Sequence, residues 1–144
     1  MSAFNRLSPL RCWRFSWGPI YMRSAPDRLK CDKGFVLAVV KRHGWELEFA
    51  DASLKSDRDV VLTAIEQIGT ALQFADESLK RDRDVVLAAV KQNGRALLHA
   101  DESFRSDRDV VLAAVRQDRE ALSFADVSLR SDRDIAFAAA SSNN

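Results

Sequence analysis

The sequence predicts an all-α fold, a short α-solenoid of about four and a half helix-turn-helix repeats of 25 residues. Two observations carry this. A period of 25 residues runs through the chain without insertion, and each copy opens with the same helix-start signal. Asp57-Arg58-Asp59-Val60-Val61-Leu62 returns as Asp82-Arg83-Asp84-Val85-Val86-Leu87, then as Asp107-Arg108-Asp109-Val110-Val111-Leu112, and last as Asp132-Arg133-Asp134-Ile135-Ala136-Phe137. A weaker copy opens at Asp32-Lys33-Gly34. A fixed period of this length is the signature of a repeat array, in which each unit buries its apolar face only against its neighbours. The units are 32–56, 57–81, 82–106 and 107–131, with a partial fifth at 132–144.

Within a unit the elements follow in order. Asp57, Asp82, Asp107 and Asp132 are placed to cap a helix, with a second aspartate in the first turn, where the helix dipole favours negative charge. Ser56, Ser106 and Ser131 precede them, so a Ser-x-x-Asp capping box shifted by one residue is the other possibility. Val85, Val86, Ala89 and Val90 then recur at helical spacing. Gly44, Gly69 and Gly94 stand where a left-handed C-cap is expected to end the helix. A second, shorter helix is expected from about Arg95 to Ala100. The polar turn Asp101-Glu102-Ser103 then tucks Phe104 inward. Neither helix is long enough to be stable alone in water, so stacking of Val86, Val90, Leu97 and Phe104 on their equivalents must supply the stability.

The pattern breaks at its edges. Arg119 replaces the turn glycine, which predicts one longer or kinked helix in the fourth unit. The fifth unit leaves Ile135 and Phe137 without a following unit, so residues 132–144 are either a weak cap or a surface for end-to-end self-association. Residues 1–31 lack the repeat and read as a disordered leader rich in arginine and aromatic residues. An organelle-targeting segment and a packing cap for the first unit are the alternatives.

The run from Asp82 to Gly94, with Ala96, Leu97, Ala100 and the preceding Leu79-Lys80, resembles the helical repeat called domain of unknown function 4116. The resemblance covers about residues 27–140 and several units with one spacing. It implies an α-helical repeat and brings no activity, cofactor or catalytic residue with it. Lys33-Gly34, Arg119 and Ala136 depart from the pattern.

Composition narrows the function classes. A chain that is 47% hydrophobic and 30% charged folds. No apolar run approaches the roughly 20 residues of a membrane span. Residues 1–31 carry six basic side chains against one acid, and the remainder 16 against 20, which argues against a nucleic-acid partner for the repeats. Cys12 and Cys31 have no partner at metal-ligand spacing, and a reducing, cytoplasmic setting is expected. The Asp-x-Asp pairs lack the further oxygen ligands and the glycine of a calcium loop, so they read as caps. His43 and His99 have no cluster around them, and His99 stands where Phe49, Phe74 and Phe124 stand. No P-loop, Gly-x-Gly-x-x-Gly or nucleophile motif is present, so no enzyme, metal or cofactor is expected.

Arg58, Arg83, Arg108 and Arg133 are expected to form an ion-pair ladder with Asp51, Asp76, Asp101 and Asp126. The units differ most at three positions: Trp45, Thr70, Arg95 and Glu120; His43, Ile68, Asn93 and Asp118; Glu48, Gln73, Leu98 and Ser123. Packing does not dictate these residues. Trp45, Ile68 and Leu98 are therefore the candidate anchors for an unknown protein partner, set against neutral drift on a solvent face. An interaction or scaffolding module is the expected function; a fragment of a longer array with no activity of its own is the alternative.

Overall fold

The computed structural model describes residues 22–142. Each full unit is a long helix, a six-residue 3-10 segment and a short connecting helix. The long helices are Lys33–Val40, Arg58–Gln67, Arg83–Gln92 and Arg108–Gln117, followed by Arg133–Ser141 in the fifth unit. They stack side by side in one layer. The 3-10 segments Gly44–Phe49, Gly69–Phe74, Gly94–His99 and Arg119–Phe124 stack in a second layer. The strongest contacts lie within a unit or between adjacent units, as in a helical repeat array. The connecting segments are Ala52–Lys55, Glu77–Lys80, Glu102–Arg105 and Val127–Arg130.

The core lies between the layers. Val60, Val61, Ala64 and Ile65 of the second unit are buried, as are Val85, Val86, Ala89 and Val90 of the third and their equivalents in the fourth. Leu47, Leu72 and Leu97 enter from the 3-10 layer, and Leu54, Leu79 and Phe104 from the connecting segments. Each of these valine, isoleucine, leucine and phenylalanine side chains contributes roughly 1.5–3 kcal/mol by leaving water, and the alanines less.

Local chemistry sets the boundaries. Asp57, Asp82, Asp107 and Asp132 are the N-caps, each accepting from the backbone N–H groups two and three residues on. Ser56, Ser106 and Ser131 instead follow the preceding connecting segment as its C-cap, so the cap does not shift to serine. Asp51, Asp76 and Asp101 cap the connecting segments, accepting from both the backbone and the hydroxyl of Ser53, Ser78 and Ser103.

The helix-ending turn differs from expectation. No described glycine has positive φ. The long helix ends on one extended residue, Ile68, Asn93 or Asp118, with φ between −151° and −146°. Asn93 and Asp118 also cap the 3-10 segment from their side chains. Glycine is needed for a different reason, the close approach of the next unit. A Cβ at Gly44 would lie 2.6 Å from the Ala64 carbonyl oxygen, and one at Gly69 would lie 2.5 Å from that of Ala89. Because glycine does not make the turn, Arg119 does not abolish it. The fourth long helix stops at Gln117 like the others, and Arg119 is exposed.

The array also begins earlier than expected. Residues 22–30 form a 3-10 turn, Met22–Ser24, and a short helix, Asp27–Lys30, in repeat register. Met22 occupies the position of Leu47, and Leu29 that of Leu54; both are buried. They pack the outer side of the first unit, where Phe35 and Val39 are buried too. That portion of the expected leader is therefore part of the fold, while residues 1–21 lie outside the described residues. In the fifth unit Ile135 is fully buried after all, whereas Phe137 is 75% exposed.

Candidate functional site

Three sets of interactions join successive units. The first is backbone to backbone. Asp51, Asp76, Asp101 and Asp126 donate their N–H groups to the carbonyls of Lys30, Lys55, Lys80 and Arg105 at 2.9–3.1 Å. The second is ionic. Lys33 pairs with Asp57 and Asp59, Arg58 with Asp82 and Asp84, Arg83 with Asp107 and Asp109, and Arg108 with Asp132 and Asp134. This ladder corrects the expected one. The arginines reach the capping aspartates of the next unit, because stacking places the next helix N-terminus beside each guanidinium. Asp51, Asp76 and Asp101 are engaged instead by their serines, and Asp101 also by Arg81 at 3.1 Å. Arg133 has no ion pair among the described residues. The third set is the Gln92 clamp, whose Oε1 accepts from Gly69 N at 2.5 Å and whose Nε2 donates to Gln67 O at 3.2 Å.

The cations lower the carboxyl pKa values of Asp57, Asp107 and Asp132, chiefly through hydrogen bonds from Lys33, Arg83 and Arg108. The hydroxyls of Ser53, Ser78 and Ser103 do the same to Asp51, Asp76 and Asp101. These groups are solvated, so water screens each pair.

The layer of 3-10 segments carries two of the three positions at which the units differ most. In a 3-10 helix, residues three apart eclipse one another. Trp45 and Glu48 thus share a side of their segment, as do Thr70 with Gln73, Arg95 with Leu98, and Glu120 with Ser123. Seven of these eight are exposed and Thr70 is half-buried, while Leu47, Leu72 and Leu97 on the opposite side are core. The eight form one stripe along the array. Trp45 is 61% exposed and Leu98 45%, two units apart. Ile68 is not on the stripe. It is half-buried, and its Cγ2 would lie 2.7 Å from a Cβ at Gly44, so it packs across the inter-unit gap.

On the stripe Arg95 bridges forward to Asp118 and Glu120. Beside the stripe runs a row of cations that the sequence reading missed: Lys30, Lys55, Lys80, Arg105 and Arg130, one per unit at the 25-residue period. The period itself was the signal. Arg105 donates to Leu98 O, and Arg130 donates to Ala125 O and Ser123 O, so these two arginines sit at the carbonyl ends of their 3-10 segments.

His43 is exposed, and His99 is half-buried with its pKa lowered by burial and then by Lys80. The Cys31 thiol is exposed, and Cys12 lies outside the described residues. Among the described residues no group of three or more His, Cys, Asp and Glu side chains is disposed to hold a metal ion, and no helix is long and apolar enough to cross a membrane.

No curated protein and no solved structure matches the chain. One family model, "Domain of unknown function (DUF4116)", matches at residues 16–55, 32–80, 57–105, 82–130 and 107–144, each match starting at or near a unit boundary or half a unit ahead of the first. The repeated match and the repeated architecture agree: the chain belongs to the DUF4116 family of helical repeats.

Proposed function

We propose that the protein is a non-enzymatic interaction module that holds a partner protein along its stripe of 3-10 segments. One observation carries the reading. The array keeps its core and its inter-unit ladders nearly constant, and two of the three positions that change most from unit to unit fall together on one outward side. A scaffold of this kind separates stability from recognition. Trp45 and Leu98 are large apolar side chains held in water there, the type that anchors protein interfaces.

The test uses the full chain as bait in a lysate of the source cell, beside a Trp45→Ala, Leu98→Ala double variant with an unchanged melting temperature. Proteins retained by the parent and lost by the variant are the expected result. Identical captures from the two baits would remove the stripe from consideration.

A further inference from the structure

An open groove of about 800 Å³ lies along the stripe, lined chiefly by the third and fourth units. Leu98, Leu122 and Phe124 supply its apolar surface, and Arg95, Arg119 and Arg130 line it with guanidinium groups. These three cations are not equivalent. Arg95 is matched by Asp118 at 3.1 Å and by Glu120. Arg130 is fixed by neutral acceptors, its Nε on Ala125 O at 2.9 Å and its Nη2 on Ser123 O at 2.8 Å, so it is held in place with its charge uncancelled. Arg119 has no ion pair among the described residues and is exposed.

We infer that this groove binds an acidic peptide segment carrying a large apolar side chain, contributed by the partner protein, an inference that rests on the interaction-module reading above. The apolar surface takes the side chain. The planar forks of Arg119 and Arg130 take carboxylates, for which guanidinium geometry is suited. Arg130 is already oriented by its two carbonyls, so less side-chain freedom is lost on binding. A basic segment would meet two unmatched positive charges. A nucleic acid would gain little from the apolar surface of Leu98, Leu122 and Phe124.

The probe is a fluorescein-labelled peptide of glutamates surrounding two leucines and a phenylalanine, titrated against the full chain by anisotropy. Its counterparts are the same peptide with lysines for glutamates, a glutamate-only peptide and a single-stranded RNA of equal length. The mixed acidic peptide is expected to bind at least about tenfold more tightly than each counterpart. Arg119→Glu and Leu98→Ala should each weaken it about tenfold, a loss of about 1.4 kcal/mol. Arg116→Glu, the same charge change on an exposed long-helix position away from the groove, should leave it unchanged. Melting curves establish that each variant folds. Equal binding of the lysine peptide, preference for RNA, or indifference to Arg119→Glu overturns the proposal. If the acidic peptide fails while the lysate capture still depends on Trp45 and Leu98, the groove chemistry is wrong and the interaction module stands. If both fail, both readings fall.

Discussion

Gly69→Ala tests what holds the units at their spacing. Gly69 has no positive φ, so backbone preference alone favours alanine. In a conformation alanine can adopt, the replacement stabilises by about 0.4–1 kcal/mol through the unfolded chain. The next unit opposes this. The new Cβ would lie 2.5 Å from the Ala89 carbonyl oxygen, 2.9 Å from Gln92 Oε1 and 3.0 Å from Asn93 Cβ. Two of the three neighbours are a helix backbone atom and a Cβ fixed to it, which cannot swing aside. The third accepts the Gly69 N–H. The long helix Arg83–Gln92 must therefore move outward along with the buried valines it carries. Overpacking of this kind costs roughly 1–3 kcal/mol. The net expectation is a destabilisation of about 0–2.6 kcal/mol, at about 2–4 °C of melting temperature per kcal/mol for a chain near this size. Urea unfolding followed by far-UV circular dichroism measures it. Arg119→Ala, at the equivalent but exposed position, should stay within about 0.5 kcal/mol of the parent. A Gly69→Ala variant more stable than the parent, by the roughly 0.4–1 kcal/mol that backbone preference alone gives, would refute close approach as the reason for these glycines.

Two further outcomes follow from the geometry. Glu46 is 8% exposed, stands where Ala71, Ala96 and Ala121 stand, and accepts from Met22 N at 2.8 Å. Glu46→Ala fits the space but orphans that N–H at a cost of about 1–3 kcal/mol, whereas Glu46→Gln keeps an acceptor; amide exchange across 22–30 should quicken in the first variant alone. Acid should weaken the array in a definite window. Because Asp57, Asp107 and Asp132 have lowered folded-state pKa values, their contribution is complete above the ordinary carboxyl value near 3.9 and is lost as pH falls through the lower folded values. Urea midpoints should be flat between pH 7 and 5 with respect to these groups and decline below about 4, less steeply in Asp107→Asn, which keeps a cap acceptor and loses the ion pairing; an unchanged slope would place the acid sensitivity elsewhere.

The repeat, the helix starts and most of the core were legible because each depends on residues close in sequence. Asp82 two and three residues ahead of the N–H groups it caps, or Val86 and Val90 four apart, can be read along one line. What misled the reading depended on the stacking. Six residues with apolar positions three apart suit a 3-10 helix as well as an α-helix, so the spacing alone does not show that the short helix expected from about Arg95 to Ala100 is the 3-10 segment Gly94–His99. The glycines were assigned to a turn because the atom they avoid is 20 residues away. The ladder was paired one position class wrong, since only the order of stacking tells Arg83 which aspartates it meets. Of the three candidate anchors, Trp45 and Leu98 lie on one exposed stripe and Ile68 does not. The first half-unit stood only as the alternative of a packing cap although Met22, Leu29 and Lys30 are in register, because Pro26 replaces the cap aspartate and basic residues dominate around it.

The backbone bonds from Asp51 to Lys30, Asp76 to Lys55, Asp101 to Lys80 and Asp126 to Arg105 all span 21 residues. That invariance makes the array's length a quantised variable. Excising 25 residues in register would bring the next donor to the preceding acceptor and rebuild every rung. Losing 24 or 26 would misalign each rung beyond the cut and turn apolar faces outward. Inheritable change in such a chain should therefore come in whole units, with recognition lengthened or shortened by one stripe position at a time.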